Sequence, residues 1–343
     1  MRNIYDVTLK ELEDYFISIN EKPFRASQVY EGLYKKRYTS FGEMTNISKE
    51  LREKLKQDFS FYKIKLLIKQ ESKEVNKYLF ELEDKNRIES VLMFHDYGIS
   101  ICVSSQVGCN MSCAFCESGR LKKVRDLLAY EIVEQILLIE EDIKTRISHV
   151  VVMGIGEPFD NYDNIIEFIK IINHAKGLQI GARHITVSTC GLIPKIKEFS
   201  NLNLQVNLAI SLHASNDELR SKIMPINKAY PLKDLISTLK EYIAKTNRRV
   251  TIEYVMLKEV NDREENAREL ANLLKNMNVY VNLIPYNETS NIGFKASSKV
   301  TIDEFYDILK MQGINVTIRR EFGRKVSAAC GQLRSEQINE MEK

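Results

Sequence analysis

Apolar positions in the first sixty residues recur every three or four places. "LKELEDYFISI", "RASQVYEGLYKK" and "SKELREKLKQDF" each put them on one helical face, so residues 8–58 are predicted helical, with Ser48 capping the third helix at Leu51. The period then shortens. "YKIKLLIKQ", "NKYLFEL", "RIESVLMF" and "ISICVSS" are alternating or apolar stretches separated by polar turns, the pattern of β-hairpins. From about residue 98 strand-like and helix-like segments alternate. Strands are predicted at 99–104, 149–154, 184–189, 204–212, 249–257, 279–286 and 315–320. Helices are predicted at 127–143, 160–173, 191–198, 215–223, 231–245, 262–276 and 301–312. Near-continuous apolar strands between helices argue a parallel sheet with covered faces. About six such units make an α/β fold, an open partial (β/α)6 barrel, with an N-terminal helical accessory domain and a β-hairpin extension. The expected divisions are 1–60 helical, 61–95 β-rich, 96–335 core and 336–343 tail. Residues 288–299 form a polar loop.

Composition narrows the setting. The chain of 343 residues is 44% hydrophobic and 28% charged, enough for a sizeable core in a soluble protein. No apolar run approaches the ~18 residues of a membrane span, and the first residues carry no signal-peptide pattern. A cytoplasmic protein with no membrane partner is expected. Six cysteines are too few to staple a chain of this length, so they read as ligands or reactive thiols. Net charge is only +3, but basic residues cluster at Lys35–Arg37, Lys122–Arg125, Arg248–Arg249 and Arg319–Lys325. Solvated surface is the ordinary reading of any one cluster; together they permit a phosphate-tracking face.

"VGCNMSCAFCESG", residues 107–119, follows the first parallel strand, the end at which barrel-like α/β folds build their sites. Cys109, Cys113 and Cys116 have C-x3-C-x2-C spacing. Structural zinc normally takes four protein ligands, and so does a [4Fe–4S] cluster. Three thiolates on one short loop suit a [4Fe–4S] cluster whose remaining iron is left for the amino and carboxylate groups of S-adenosylmethionine. A zinc site and three incidental core cysteines are the alternatives. Other polar residues end later strands: Gly156 and Glu157 in "MGIGEP", Ser188, then Ser211, Leu212 and His213 in "SLH", and Asn287. A glycine turn admits close backbone approach, and a carboxylate can hold an ammonium group. Each alone also fits a tight turn or a satisfied core polar group. Phe115 would shield the loop from water or simply pack in the core.

With these residues in view, the chain resembles the family of radical S-adenosylmethionine RNA methyltransferases that contains RlmN and Cfr. "CVSSQVGCNMSCAFC", "MGIGEP", "STCGLIP", "SLH", "MPIN", "VND", "NLIPYN" and "AACGQL" carry the likeness, and "FRASQVYEGLYKKR" extends it to the N-terminal region. The resemblance implies that the partial barrel is a radical S-adenosylmethionine barrel using two S-adenosylmethionine molecules per turnover. It implies that Cys330 is methylated, that the carried carbon joins adenine, and that Cys102 then attacks Cys330 sulfur, leaving a disulfide. Glu89 is implied as the proton acceptor; by position alone it is a strand-surface carboxylate. The implied substrate is carbon 2 of adenine 2503 in 23S rRNA, with adenine 37 of tRNA as a further candidate. The implied partners are RNA, a flavodoxin-like electron donor and a disulfide reductant, and the chain is expected to be a monomer. Carbon 8 methylation of the same adenine, as in Cfr, stays open, as do a radical activase or oxidoreductase and a zinc-dependent RNA-binding module. Cys190 is assigned no role beyond a buried thiol.

Overall fold

A computed structural model describes residues 1–289 and 292–319. Three helices open the chain: α1 (Leu9–Ser18), α2 (Phe24–Tyr34) and α3 (Lys49–Asp58). Thr8 starts α1 with a capping box, its hydroxyl accepting from Glu11 N while Glu11 accepts from Thr8 N at 2.8 Å. Ser48 caps α3 by accepting from Leu51 N at 3.2 Å, as predicted.

Ten strands form one sheet: β1 (Lys65–Glu71), β2 (Val75–Glu81), β3 (Arg87–His95), β4 (Gly98–Val103), β5 (His149–Val152), β6 (Ile185–Thr189), β7 (Asn207–Ser211), β8 (Val250–Met256), β9 (Val279–Pro285) and β10 (Val316–Ile318). They lie in chain order across the sheet. Pairings among β1 to β4 are antiparallel hairpins, whereas every pairing from β4 to β10 is parallel. The helices between these strands are α4 (Ala129–Ile143), α5 (Tyr162–Asn173), α6 (Ile193–Phe199), α7 (Asp217–Ile223), α8 (Leu232–Thr246), α9 (Glu264–Leu274) and α10 (Lys299–Met311). All match the expected segments within a few residues.

Parallel strands that always step the same way, joined by crossovers of one hand, collect their helices on one face, as the expected partial barrel requires. Residues on that outer face, such as Ile101, Val150, Val187, Ile210, Ile252 and Val281, are completely buried in the main apolar core. Their chain neighbours point inward, where Ser188, Ser211 and Glu253 line a cavity.

The N-terminal helices dock on α4. Glu134 Oε2 accepts from Ile64 N at 2.6 Å, Asp6 accepts from Tyr130 N at 3.2 Å, and Arg37 pairs with Glu140. Several basic residues that read as surface are thus held within the fold. Lys123 bridges Asp126 and Asp160, each at 2.8 Å, and Arg125 binds Glu131 and Asp84. Arg248 donates to the Val206 and Gln205 carbonyls. Lys35 and Lys36 keep exposed side chains, and Arg320, Arg324 and Lys325 lie outside the described residues.

Candidate functional site

At the C-terminal ends of the parallel strands the inner face opens into a cavity of ≈ 1010 Å³, open solvent at its mouth included. Cys109, Cys113 and Cys116 line it, with Met111, Phe115 and Met224 as apolar neighbours. Gly156, Glu157, Ser188, Ser211, His213 and Asn287 line it as well. The sequence-predicted groups after β4, β5, β6, β7 and β9 therefore meet in one place. Leu212 differs: its side chain is in the main core, and its backbone N donates to Glu253 O at 3.1 Å.

Local chemistry fixes the cysteine loop. Gly108 has φ +76, and a Cβ there would collide with the Lys122 carbonyl oxygen, so only glycine lets the loop turn against its returning strand. Cys109 N donates to Leu121 O at 2.9 Å, and Cys116 N donates to Cys113 O at 3.1 Å. Ala114 N donates to Ile223 O at 2.9 Å, fastening the loop to the end of α7. Burial pushes Cys109 up to about 12 and Cys113 well above the usual thiol range, and repulsion among the three sulfurs adds to both.

The polar part of the lining is ordered by its own hydrogen bonds. Gly156 has φ +112, and a Cβ there would come within 2.6 Å of Gln106. Glu157 is buried and accepts from Phe159 N at 3.0 Å and Cys190 N at 2.8 Å; burial raises its pKa despite those bonds. His213 Nδ1 accepts from Val255 N at 3.0 Å, leaving the proton on Nε2. Burial first, and the nearby Arg220 charge second, lower its pKa to about 3, so the ring is neutral. Phe115 meets His213 edge to face at 4.8 Å.

Cys102 and Glu89 are close to this wall but not in it. Both face inward, on β4 and β3, and Cys102 packs with Val91, Met93, Val151 and Met153. Met153 also lines the cavity, so the apolar cluster around Cys102 reaches the cavity wall. Glu89 is fully buried beside Lys77 on β2, Nζ to Oε1 3.0 Å, with Lys77 itself 4% exposed. Lys77 was illegible in the sequence, because "NKYLFEL" gives a lysine no sign of burial. Cys330 lies outside the described residues. Cys190 is buried beside Glu157 and lines the cavity.

Comparison with known proteins separates the candidate chemistries. Residues 103–271 match the model of the radical SAM superfamily, and residues 2–60 match the N-terminal domain of ribosomal RNA large subunit methyltransferases. The chain is 56% identical to a probable dual-specificity RNA methyltransferase RlmN of Enterococcus faecalis, covering 98% of this chain and 97% of that one. The chain belongs to the RlmN family of radical SAM RNA methyltransferases. An Acholeplasma laidlawii relative, also named as a probable RlmN, is 52% identical over 98% of this chain and 99% of its own. A crystal structure of a radical SAM methyltransferase from Sphaerobacter thermophilus superposes with a TM-score of 0.92 at 39% identity, covering 98% of this chain and 100% of that one. Membership makes this chain an S-adenosylmethionine-dependent RNA methyltransferase whose superfamily uses a [4Fe–4S] cluster. No helix among the described residues is long and apolar enough to cross a membrane.

The site's donor set suits such a cluster. Cys109 and Cys113, which resist ionisation through burial and the nearby sulfurs, become thiolates together with Cys116 when a cationic metal core sits among them. Among the described residues no three His, Cys, Asp or Glu side chains converge as a single ion would need.

Proposed function

We propose that this RlmN-family enzyme methylates carbon 2 of adenine 2503 in 23S rRNA, with adenine 37 of tRNA as a second target. The observation that carries the reading is the single cavity lined by Cys109, Cys113 and Cys116 together with Glu157, Ser188, Ser211 and His213. Cys109, Cys113 and Cys116 would hold the cluster. When bound, it supplies the electron for cleavage of S-adenosylmethionine. Glu157 would take the methionine ammonium group, with the Gly156 backbone close beside it. The Ser188 and Ser211 hydroxyls, His213 Nε2–H and Asn287 would bind the remaining polar atoms, with Leu212 setting the strand end between two of them.

Cys330 would act first, its thiolate taking the methyl group of one of two S-adenosylmethionine molecules used per turnover as S-adenosylhomocysteine leaves. Once the carried carbon is joined to adenine, Glu89 would take the proton from the substituted carbon. Lys77 gives that buried carboxylate its ion-pair partner. Cys102 would then attack Cys330 sulfur, forming a disulfide and returning the bonding electron pair to the product carbon. A disulfide reductant and a flavodoxin-like electron donor would complete the cycle. The apolar layer around Cys102 keeps water from the thiol between turnovers.

The adenine must leave its stack to reach this cavity. The helical region 1–60 would grip RNA as an accessory domain, using Lys35 and Lys36 for phosphate contacts; Arg37, expected to join them, is instead paired with Glu140. Residues 61–95 would connect it to the 96–335 core, whose end and the 336–343 tail lie beyond the described residues. Mass spectrometry of rRNA and tRNA nucleosides from cells with and without the protein tests the reading. Loss of 2-methyladenosine from 23S rRNA is expected; loss of 8-methyladenosine instead, or of neither, would overturn it.

A further inference from the structure

Arg220, on α7, is the largest of the fully buried side chains among the described residues. Its donors all meet neutral oxygens. Nε donates to Leu212 O at 3.2 Å, and Nη1 to Asn227 Oδ1 at 3.0 Å. Nη2 donates to Cys190 O at 2.6 Å and to Ser211 O at 3.3 Å. No carboxylate among the described residues forms an ion pair with it.

These bonds occupy four of the guanidinium's five N–H hydrogens without cancelling its charge. A buried cation is costly unless something negative stands near it. Burial lowers the Arg220 pKa, and the groups that would favour its charge are the sulfurs of Cys190 and Cys113, once ionised, and then Asp217. The same α7 accepts the Ala114 amide through Ile223 O, so helix and cysteine loop are built as one unit. Arg220 does not line the cavity; it stands behind the wall, holding the turns after β6 and β7.

A four-iron core held by three thiolates carries one net negative charge when oxidised and two after accepting an electron. We infer that Arg220 is the built-in counter-charge of this site: its buried cation favours the electron-loaded state and raises the site's reduction potential. The inference rests on the cluster assignment of the proposed function. In the cluster-free protein the same charge is poorly compensated, so loading should stabilise a chain with a cation at 220 more than one without.

The test uses full-length protein reconstituted anaerobically with iron and sulfide, followed by a redox titration monitored by electron paramagnetic resonance. Arg220→Gln should lower the reduced-to-oxidised ratio at fixed potential at least tenfold, a shift of about 59 mV for one electron. Arg220→Lys keeps the charge and loses most of the fork, so it should stay within half that shift while melting at a lower temperature. The gain in melting temperature on loading should be larger in wild type and Arg220→Lys than in Arg220→Gln. An unchanged potential in Arg220→Gln, or an equal fall in Arg220→Lys, would overturn the role. If Arg220→Gln does not fold, Arg220→Lys decides alone: a retained potential supports the charge, and a full tenfold loss refutes it. Wild-type protein that binds no iron and sulfide would instead overturn the cluster assignment itself.

Discussion

Ile252 and Glu253 are consecutive on β8 and face opposite ways. Ile252 is fully buried among the helices, in the main core. Glu253 lines the cavity, where burial raises its pKa even though Asn282 donates to it at 2.8 Å. The same alternation repeats along the parallel strands. One face buries aliphatic side chains, each worth about 1.5–3 kcal/mol on leaving water. The other buries carboxylates, hydroxyls and sulfurs, which cost free energy unless a partner is provided. Stability and chemistry are thereby divided between the two faces of one sheet, and a substitution should be felt as one or the other.

The largest expected contrast sets Cys113→Ala against Ile252→Ala. Cys113→Ala should eliminate S-adenosylmethionine cleavage and lower iron content while leaving the melting temperature of cluster-free protein nearly unchanged. Ile252→Ala should cost roughly 2–5 kcal/mol of stability through lost burial and a cavity, with iron binding preserved in the folded fraction. Denaturant unfolding and iron analysis of both variants check the division. A Cys113→Ala protein with wild-type iron and cleavage would break it.

A smaller effect sits on the outer face. Glu134, buried where α4 meets the N-terminal region, has its pKa raised to about 8, chiefly by burial and despite the Ile64 amide. Folded protein therefore holds a proton there that unfolded protein has released. This contribution is full below the ordinary carboxylate range and is lost as pH rises through about 8, by at most roughly 1.4 kcal/mol per pH unit within that window. Glu134→Gln, which can still accept from Ile64 N, should flatten that part of the stability profile. Urea midpoints at pH 6 and pH 9 measure it, and a profile as steep as wild type would contradict it.

The smallest effect is on the exposed surface. Lys35→Ala with Lys36→Ala should leave stability within about 0.5 kcal/mol and reduce the salt dependence of RNA affinity by up to two phosphate contacts. An unchanged slope would return both lysines to ordinary surface.

Strands and helices were legible because apolar spacing is a local property, and the cysteine loop because its ligands are adjacent. Long-range partners were not. Arg37, Lys123 and Arg125 looked like surface charge until Glu140, Asp160 and Asp84 were brought to them from distant segments. Arg220 in "NDELRSK" and Glu134 in "YEIVEQILL" sit in helix patterns that permit an exposed side chain equally well. Which face each strand turns inward was settled by the order of crossovers, which periodicity does not encode. Glu89 entered through resemblance; its burial beside Lys77 supplies a physical setting the sequence did not contain.

The central claim is that Cys102 resolves a link carried on Cys330, and a denaturing gel of RNA after anaerobic turnover tests it most directly. With Cys102→Ala, RNA should accumulate covalently bound to protein, because the carrier remains and the resolving thiol is gone. With Cys330→Ala, neither methylated product nor bound RNA should form. Normal multiple turnover by Cys102→Ala, or a stable adduct with Cys330→Ala, would contradict the account.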